Sequence, residues 1–473
     1  MSTYNPPTLQ QLAVQSLLQN EALTMSTLEY LPINLFPPVF KEAINGGHME
    51  LLKAMVVAWP FSYLPVGALM KIVDFEVFQA VLDGVDILQT QKVRPRLQVL
   101  DLRNMNQDFW DIWAGRDWHC STETENNTQV CNELRKDLKV LMDLSLRFYL
   151  KKPHRHLLQW AQQRKDCVQL YCIKMKICDS TMEIIKQFLD NFPPDNIEEL
   201  EIYTNQILPL MDYFTPHFGR MTRLRKCRLT HIVFNRNTDV NTLADPKEMC
   251  AVQFLSQFCK FNYLKHLSID GVRFSPHHMQ LLFGCLKTPL ESLNISHCHL
   301  SQSDLKHLSQ CQRLCQLNHL NLTGIVLPRL NVTHLQVLLE NTAQTLQILE
   351  LVNCRMDGHE LSALWPALCL CSQLTTVNFY DNDFSTAVLK KLVQSMANLS
   401  KMTAEFYPAP LECYDPLGSV LVEEFAQVCS EFLDMLSVKG QPKTIAFATD
   451  ICPECYMSCV YDMEAKLCQC WQQ

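Results

Sequence analysis

The chain has 473 residues and a formal net charge of −8, and it contains 70 leucines and 22 cysteines but only 12 glycines. No two glycines are separated by a single residue, and no G-x-x-x-x-G-K or G-x-S-x-G string occurs. Generic nucleotide binding and α/β-hydrolase chemistry are therefore not expected. The acidic balance argues against a nucleic-acid footprint, and with no H-E-x-x-H present no catalytic residue is assigned.

The first residues, Met1 to Gln11, are polar, and no basic region leads into an apolar run, so no secretory leader is expected. The most apolar stretch, Ala54 to Met70, is broken by Pro60 and Pro65 and is too short to span a bilayer. The expected location is cytoplasmic or nuclear, with reduced cysteines and with no nucleic-acid or membrane partner. Residues 1–95 are expected to form a helical domain. Leu9, Leu12, Ala13, Ser16 and Leu17 fall on one helix face, and Leu51–Trp59 and Phe75–Leu88 read as further helices. Residues 104–165 are expected to form an irregular insertion, with a mobile polar loop at Asp117–Asn132.

Residues 96–440 read as repeats. L-x-x-L-x-L appears at Leu264/Leu267/Ile269, Leu290/Leu293/Ile295, Leu317/Leu320/Leu322, Leu346/Leu349/Leu351 and Leu374/Val377/Phe379, at spacings of 26, 27, 29 and 28 residues. This is the leucine-rich-repeat period: a short strand points its leucines inward, a helix follows, and stacking buries what one repeat cannot. Weaker copies stand at Ile197/Leu200/Ile202, Leu224/Cys227/Leu229 and Leu97/Leu100/Leu102, and Val168–Cys178 is a candidate of unfixed register. The expected fold is α/β, a ribonuclease-inhibitor-like horseshoe solenoid with an N-terminal helical cap domain. Cys298, Cys354 and Asn382 stand where such repeats cap the turn after the strand, so part of the cysteine count is structural. Residues alternating with the inward leucines face a partner: His266, Asp270, Asn294, His319, Asn321, Glu350, Asn378 and Tyr380, a mixed face suited to a protein ligand. Leu335, Leu338 and Leu339 form an L-x-x-L-L string on a helix that should turn them to the core.

Residues 441–473 read as a cysteine-rich tail. Cys452, Cys455, Cys468 and Cys470 offer four thiolates at knuckle-like spacing; they are either ligands of a structural zinc ion or free or buried thiols.

Two short patterns precede the repeats. Thr8, Leu9, Ala13 and Leu17 are similar to elongin C-binding helices, in which a leucine fills a pocket between small residues; Ala13 stands where cysteine is usual. Leu31, Pro32, Leu35 and Val39 resemble a cullin-2 box. The same block also looks like a degenerate F-box, which would recruit cullin-1 through Skp1, and the leucines could instead be ordinary core. The strings Leu31-Pro-Ile-Asn-Leu-Phe-Pro-Pro, Leu97-Gln-Val-Leu-Asp-Leu-Arg, Gln107-Asp-Phe-Trp, Cys371-Ser-Gln-Leu-Thr-Thr and Tyr407-Pro-Ala-Pro-Leu-Glu resemble the PRAME (preferentially expressed antigen in melanoma) family. That resemblance implies a germ-line leucine-rich-repeat protein acting as substrate receptor of a cullin-2 ubiquitin ligase. Elongin C with elongin B, cullin-2, a RING protein and an unidentified protein substrate are its implied partners. It also implies links to transcriptional repression, differentiation and apoptosis. A corepressor scaffold outside any ligase is the alternative.

Overall fold

The computed structural model describes residues 6–69, 75–91, 96–104, 110, 137–149, 151–204, 207–233, 246–275, 277–437, 444–450, 458–461 and 465–466. The chain divides into two compact units, residues 1–175 with 180–196 and residues 176–179 with 197–473. The first unit includes strands as well as helices and runs past residue 95.

In the first unit, helices α1 (Leu9–Gln19), α2 (Glu21–Ser26), α3 (Phe36–Gly46), α4 (Met49–Val57) and α5 (Phe75–Thr90) precede and flank strands β1 (Tyr63–Leu64) and β2 (Val99–Asp101). Its core contains an aromatic cluster in which Phe40 lies 5.1 Å from Trp59 and 5.8 Å from Trp110. Both indole N–H groups are satisfied by backbone carbonyls, Trp59 at Tyr63 O and Trp110 at Pro37 O. Gly84 lets α5 close on α4; a Cβ there would stand 2.9 Å from Lys53 O. Fully buried Asp101 accepts from Tyr63 Oη at 2.7 Å and from Arg103 Nη2 at 2.6 Å, so its charge is compensated inside the fold.

The expected irregular insertion is regular where it is described. Strand β3 (Leu138–Leu146) pairs parallel with β2, and α6 (Lys152–Gln162), β4 (Val168–Cys178) and α7 (Met182–Leu189) follow. Asp117–Asn132 lies outside the described residues. Along β4 the buried positions run Val168, Leu170, Cys172 and then Met175, Ile177. The period-2 phase slips by one residue at Ile173–Lys174, as an inserted bulge residue does, which is why the pattern fixes no register.

The second unit is a parallel ladder: β5 (Glu199–Tyr203), β6 (Lys226–Thr230), β7 (His266–Asp270), β8 (Ser292–Ser296), β9 (His319–Asn321), β10 (Ile348–Glu350), β11 (Thr376–Asn378), β12 (Ala404–Pro408) and β13 (Thr444–Ala448). Leu267, Leu293, Leu320, Leu349 and Val377 stand in register and are buried. Helices α8 (Ile207–Phe218), α9 (Pro246–Ser256), α10 (His278–Cys285), α11 (Gln302–Gln310), α12 (Thr333–Thr342), α13 (Gly358–Leu370), α14 (Thr386–Met396) and α15 (Val422–Ser437) connect the strands. Reciprocal capping boxes start α11 (Ser301 with Asp304) and α13 (Asp357 with Glu360). The repeat sheet runs past the expected limit of 440, since β13 pairs fully with β12; β14 (Val460–Tyr461) and β15 (Ala465–Lys466) then add antiparallel.

The exits of β4 and of β6 to β11 each turn through one left-handed residue: Asp179, His231, Gly271, His297, Gly324, Asn353 and Asp381, with φ between 42° and 74°. Each of the first six donates its N–H to the next repeat at 2.8–3.0 Å, as His231 does to Asp270 O and Gly324 to Val352 O. Glycine is scarce because histidine, asparagine and aspartate occupy most of these turns.

Candidate protein-interaction surfaces

In the first unit, Thr8 caps α1. Gln11 N donates to Thr8 Oγ1 at 3.2 Å while Thr8 N donates to Gln11 Oε1 at 2.8 Å. This box fixes the helix start, so the Thr8 hydroxyl is already engaged in the fold. Val14 is the one fully buried residue of α1. Leu9 is 87% exposed and Leu12 46%, while Ala13 and Leu17 are half-buried at the edge of the contact. The face that the sequence groups together is thus the outward one, and it is apolar.

Leu31 and Leu35 are half-buried and Pro32 is exposed, on a 3₁₀ turn (Ile33–Leu35) leading into α3. Val39 is fully buried. It belongs to the core of the unit and offers no surface to a partner, which corrects its assignment to a cullin contact. This turn exposes Ile33 (56%) and the preceding 3₁₀ turn (Leu28–Tyr30) exposes Tyr30 (85%), both of which sequence reasoning missed. Neither occupies a named position of the box pattern, and only their accessibility reveals them.

In the second unit, the residues expected to face a partner are all half-buried and alternate with the buried leucines. Five of them make cross-strand hydrogen bonds. Glu350 receives Asn321 Nδ2 at 2.8 Å and lies 3.0 Å from His319 Nε2; Ser296 donates to Asp270 at 2.8 Å, and Asn294 to Ser268 at 3.2 Å. Asn321 and Asn378 also accept the N–H two residues on, at Thr323 and Tyr380, so these two side chains hold the strand exits. Burial holds the His266 imidazole below its ordinary range against the pull of Glu291. Tyr380 packs edge-on against Phe406, ring centroids 5.6 Å apart, an aromatic that the repeat pattern did not assign to this face.

The turn-capping residues behave as the repeat requires. Asn382, buried, donates to Leu351 O at 2.7 Å and Phe379 O at 2.9 Å and accepts from Cys354 N and Met356 N at 3.1 Å, tying two repeats together. Cys298 and Cys354 occupy the same place, their thiols on Ser296 O and Leu322 O and pushed up to about 12 by burial. Cys371 and Cys311 serve the helix ends, each with Sγ 3.8 Å from a carbonyl of the preceding repeat. Leu335, Leu338 and Leu339 are buried, so their L-x-x-L-L string is core. Cys452, Cys455, Cys468 and Cys470 lie outside the described residues; Cys459, between them, is buried. Among the described residues no helix is long and apolar enough to cross a membrane.

Repeated parallel strands with inward leucines, joined by helices, define a leucine-rich-repeat protein whose N-terminal segment is helical. The family models for the PRAME N-terminal domain and the PRAME C-terminal domain match residues 6–110 and 138–470, and the chain belongs to the PRAME family. It is 40% identical to human PRAME family member 12, covering 99% of this chain and 98% of that protein. It is also 40% identical to mouse Oogenesin-3, covering 98% and 94%. Among solved structures, the leucine-rich repeat-containing protein LegL7 from Legionella pneumophila aligns over 66% of this chain and 91% of that one, with a TM-score of 0.35 and 14% identity, too remote to bear on function.

Proposed function

We propose that this chain is a non-catalytic substrate-recognition adaptor of a cullin-2 RING ubiquitin ligase, acting in the cytoplasm or nucleus. Family membership and the repeat fold support a protein-interaction role. The finer reading rests on one observation: α1 is firmly capped yet turns Leu9 and Leu12 to solvent. A soluble helix that spends its leucines outward is built to bury them against another protein. In this reading Leu9, Ala13 and Leu17 engage elongin C with elongin B, and Thr8 sets the helix start. Leu31, Pro32 and Leu35, with the exposed Ile33, engage cullin-2. The strand face from His266 to Tyr380 holds the target protein, and its recruitment would underlie effects on transcription, differentiation and apoptosis.

Copurification of elongin C and cullin-2 with wild type and with Leu9→Glu tests the assignment. Loss of both partners from the variant is expected, and equal recovery overturns the role of α1. Recovery of Skp1 and cullin-1 in their place would favour the F-box reading. A metal content near one zinc per purified chain would assign Cys452, Cys455, Cys468 and Cys470 as ligands, and a content near zero would leave them thiols.

A further inference from the structure

A second exposed surface lies in the first unit, at the exit of β3. Phe148 and Tyr149 sit side by side on a bend and are each 70% exposed. Two large aromatics adjacent in the chain make a small exposed apolar patch rather than a single scattered side chain. The segment around them, residues 147–156, contains Arg147, Lys151, Lys152 and Arg155 and no acidic residue. No acidic side chain occupies the first turn of α6 either. Among the described residues Arg147, Lys151 and Arg155 form no ion pair, whereas Lys152 is held with its ammonium 4.1 Å above the Phe75 ring. The bend itself is anchored, with Ser180 Oγ donating to Arg147 O at 3.1 Å.

We propose that the Phe148–Tyr149 bend and its surrounding cations form a peripheral docking surface for an anionic phospholipid membrane. The cations match the negative charge of the headgroups, and amphipathic rings such as tyrosine settle at headgroup depth. The rings project from a bend at a strand exit rather than from a sheet face. They therefore offer no platform on which successive bases could stack, which favours lipid over single-stranded nucleic acid. The surface is independent of α1 and of the ligase reading.

Sedimentation of the full-length chain with phosphatidylcholine vesicles, and with vesicles containing about 30% phosphatidylserine, tests this. Wild type should pellet with the anionic vesicles alone and be released as salt rises from about 0.1 to about 0.5 M. Arg147→Gln/Lys151→Gln/Arg155→Gln should lower partitioning by roughly a hundredfold, with about a factor of five expected per cation removed. Phe148→Ser/Tyr149→Ser should lower it by about tenfold at equal charge. Unchanged circular dichroism and an unchanged urea unfolding midpoint would show that both variants remain folded. Wild type left in the supernatant, or variants that pellet like wild type, overturn the proposal. So does tighter binding of a single-stranded oligonucleotide or a polyglutamate peptide through the same residues.

Discussion

Removing the Asn382 side chain should unfasten two repeats at once. Its Oδ1 accepts from Cys354 N and Met356 N, and its Nδ2 donates to Leu351 O and Phe379 O, all between 2.7 and 3.1 Å and all buried. Asn382→Ala deletes these bonds and strands four backbone groups where water does not reach. At about 1 kcal/mol net per bond, with more for donors left unpaired, the cost is about 4 kcal/mol. Asn382→Cys imitates Cys354, whose thiol reaches Leu322 O. A thiol donates but accepts poorly, so this variant should lose about half as much, ~2 kcal/mol. Urea unfolding followed by circular dichroism gives the ranking, and hydrogen exchange should show the loss of protection concentrated at residues 351–384. An Asn382→Ala variant within about 1 kcal/mol of wild type would refute the reasoning.

Four further outcomes are expected. Gly271→Ala should cost about 1–2 kcal/mol of unfolding free energy in a urea titration, because φ is +60° and the new Cβ would meet His231 Nδ1 at 2.5 Å; Asn353→Gly, at φ 52°, should be close to neutral. Glu405→Leu should destabilise by about 1–3 kcal/mol because buried Tyr407 Oη loses the carboxylate to which it donates at 2.7 Å, and adding Tyr407→Phe should recover most of that in the same melt. Alkylation at pH 8 should label exposed Cys259 and Cys315 well before Cys298 and Cys354, which are buried and whose thiols are pushed up to about 12 and so carry little thiolate. His278 is buried and held below its ordinary value by desolvation, against the opposing pull of Glu248. Unfolding should release a site that takes up a proton more readily, so stability should fall as pH drops below about 6.5. In His278→Gln that slope should flatten, and an equal slope would count against it.

The repeats were legible because their period is long and their inward positions are leucine; all five full copies became buried strands. Two further copies escaped notice for chemical reasons. In register, β12 places Glu405 where Val377 stands, a buried carboxylate at a leucine position, and turns Phe406 outward, the reverse of the polarity that a pattern search expects. In β3 the register puts Val140 opposite Leu100, with Asp137 at the first position of the string. The left-handed turns were hidden because four residue types fill them. On α1 the grouping of Leu9, Leu12 and Ala13 was readable, but which way that stripe points depends on Val14 packing inward, and helical spacing alone does not decide it. The burial of Val39 was equally invisible: its spacing from Pro32 fits both a partner contact and the core of α3.

The central claim is most directly tested by titrating purified full-length chain with the elongin B–elongin C complex and then adding cullin-2. A stable complex that is abolished by Leu9→Glu, while the variant keeps its circular dichroism spectrum, is the predicted result. A wild-type chain that elutes free of elongin C, or a Leu9→Glu variant that binds as tightly, would contradict it.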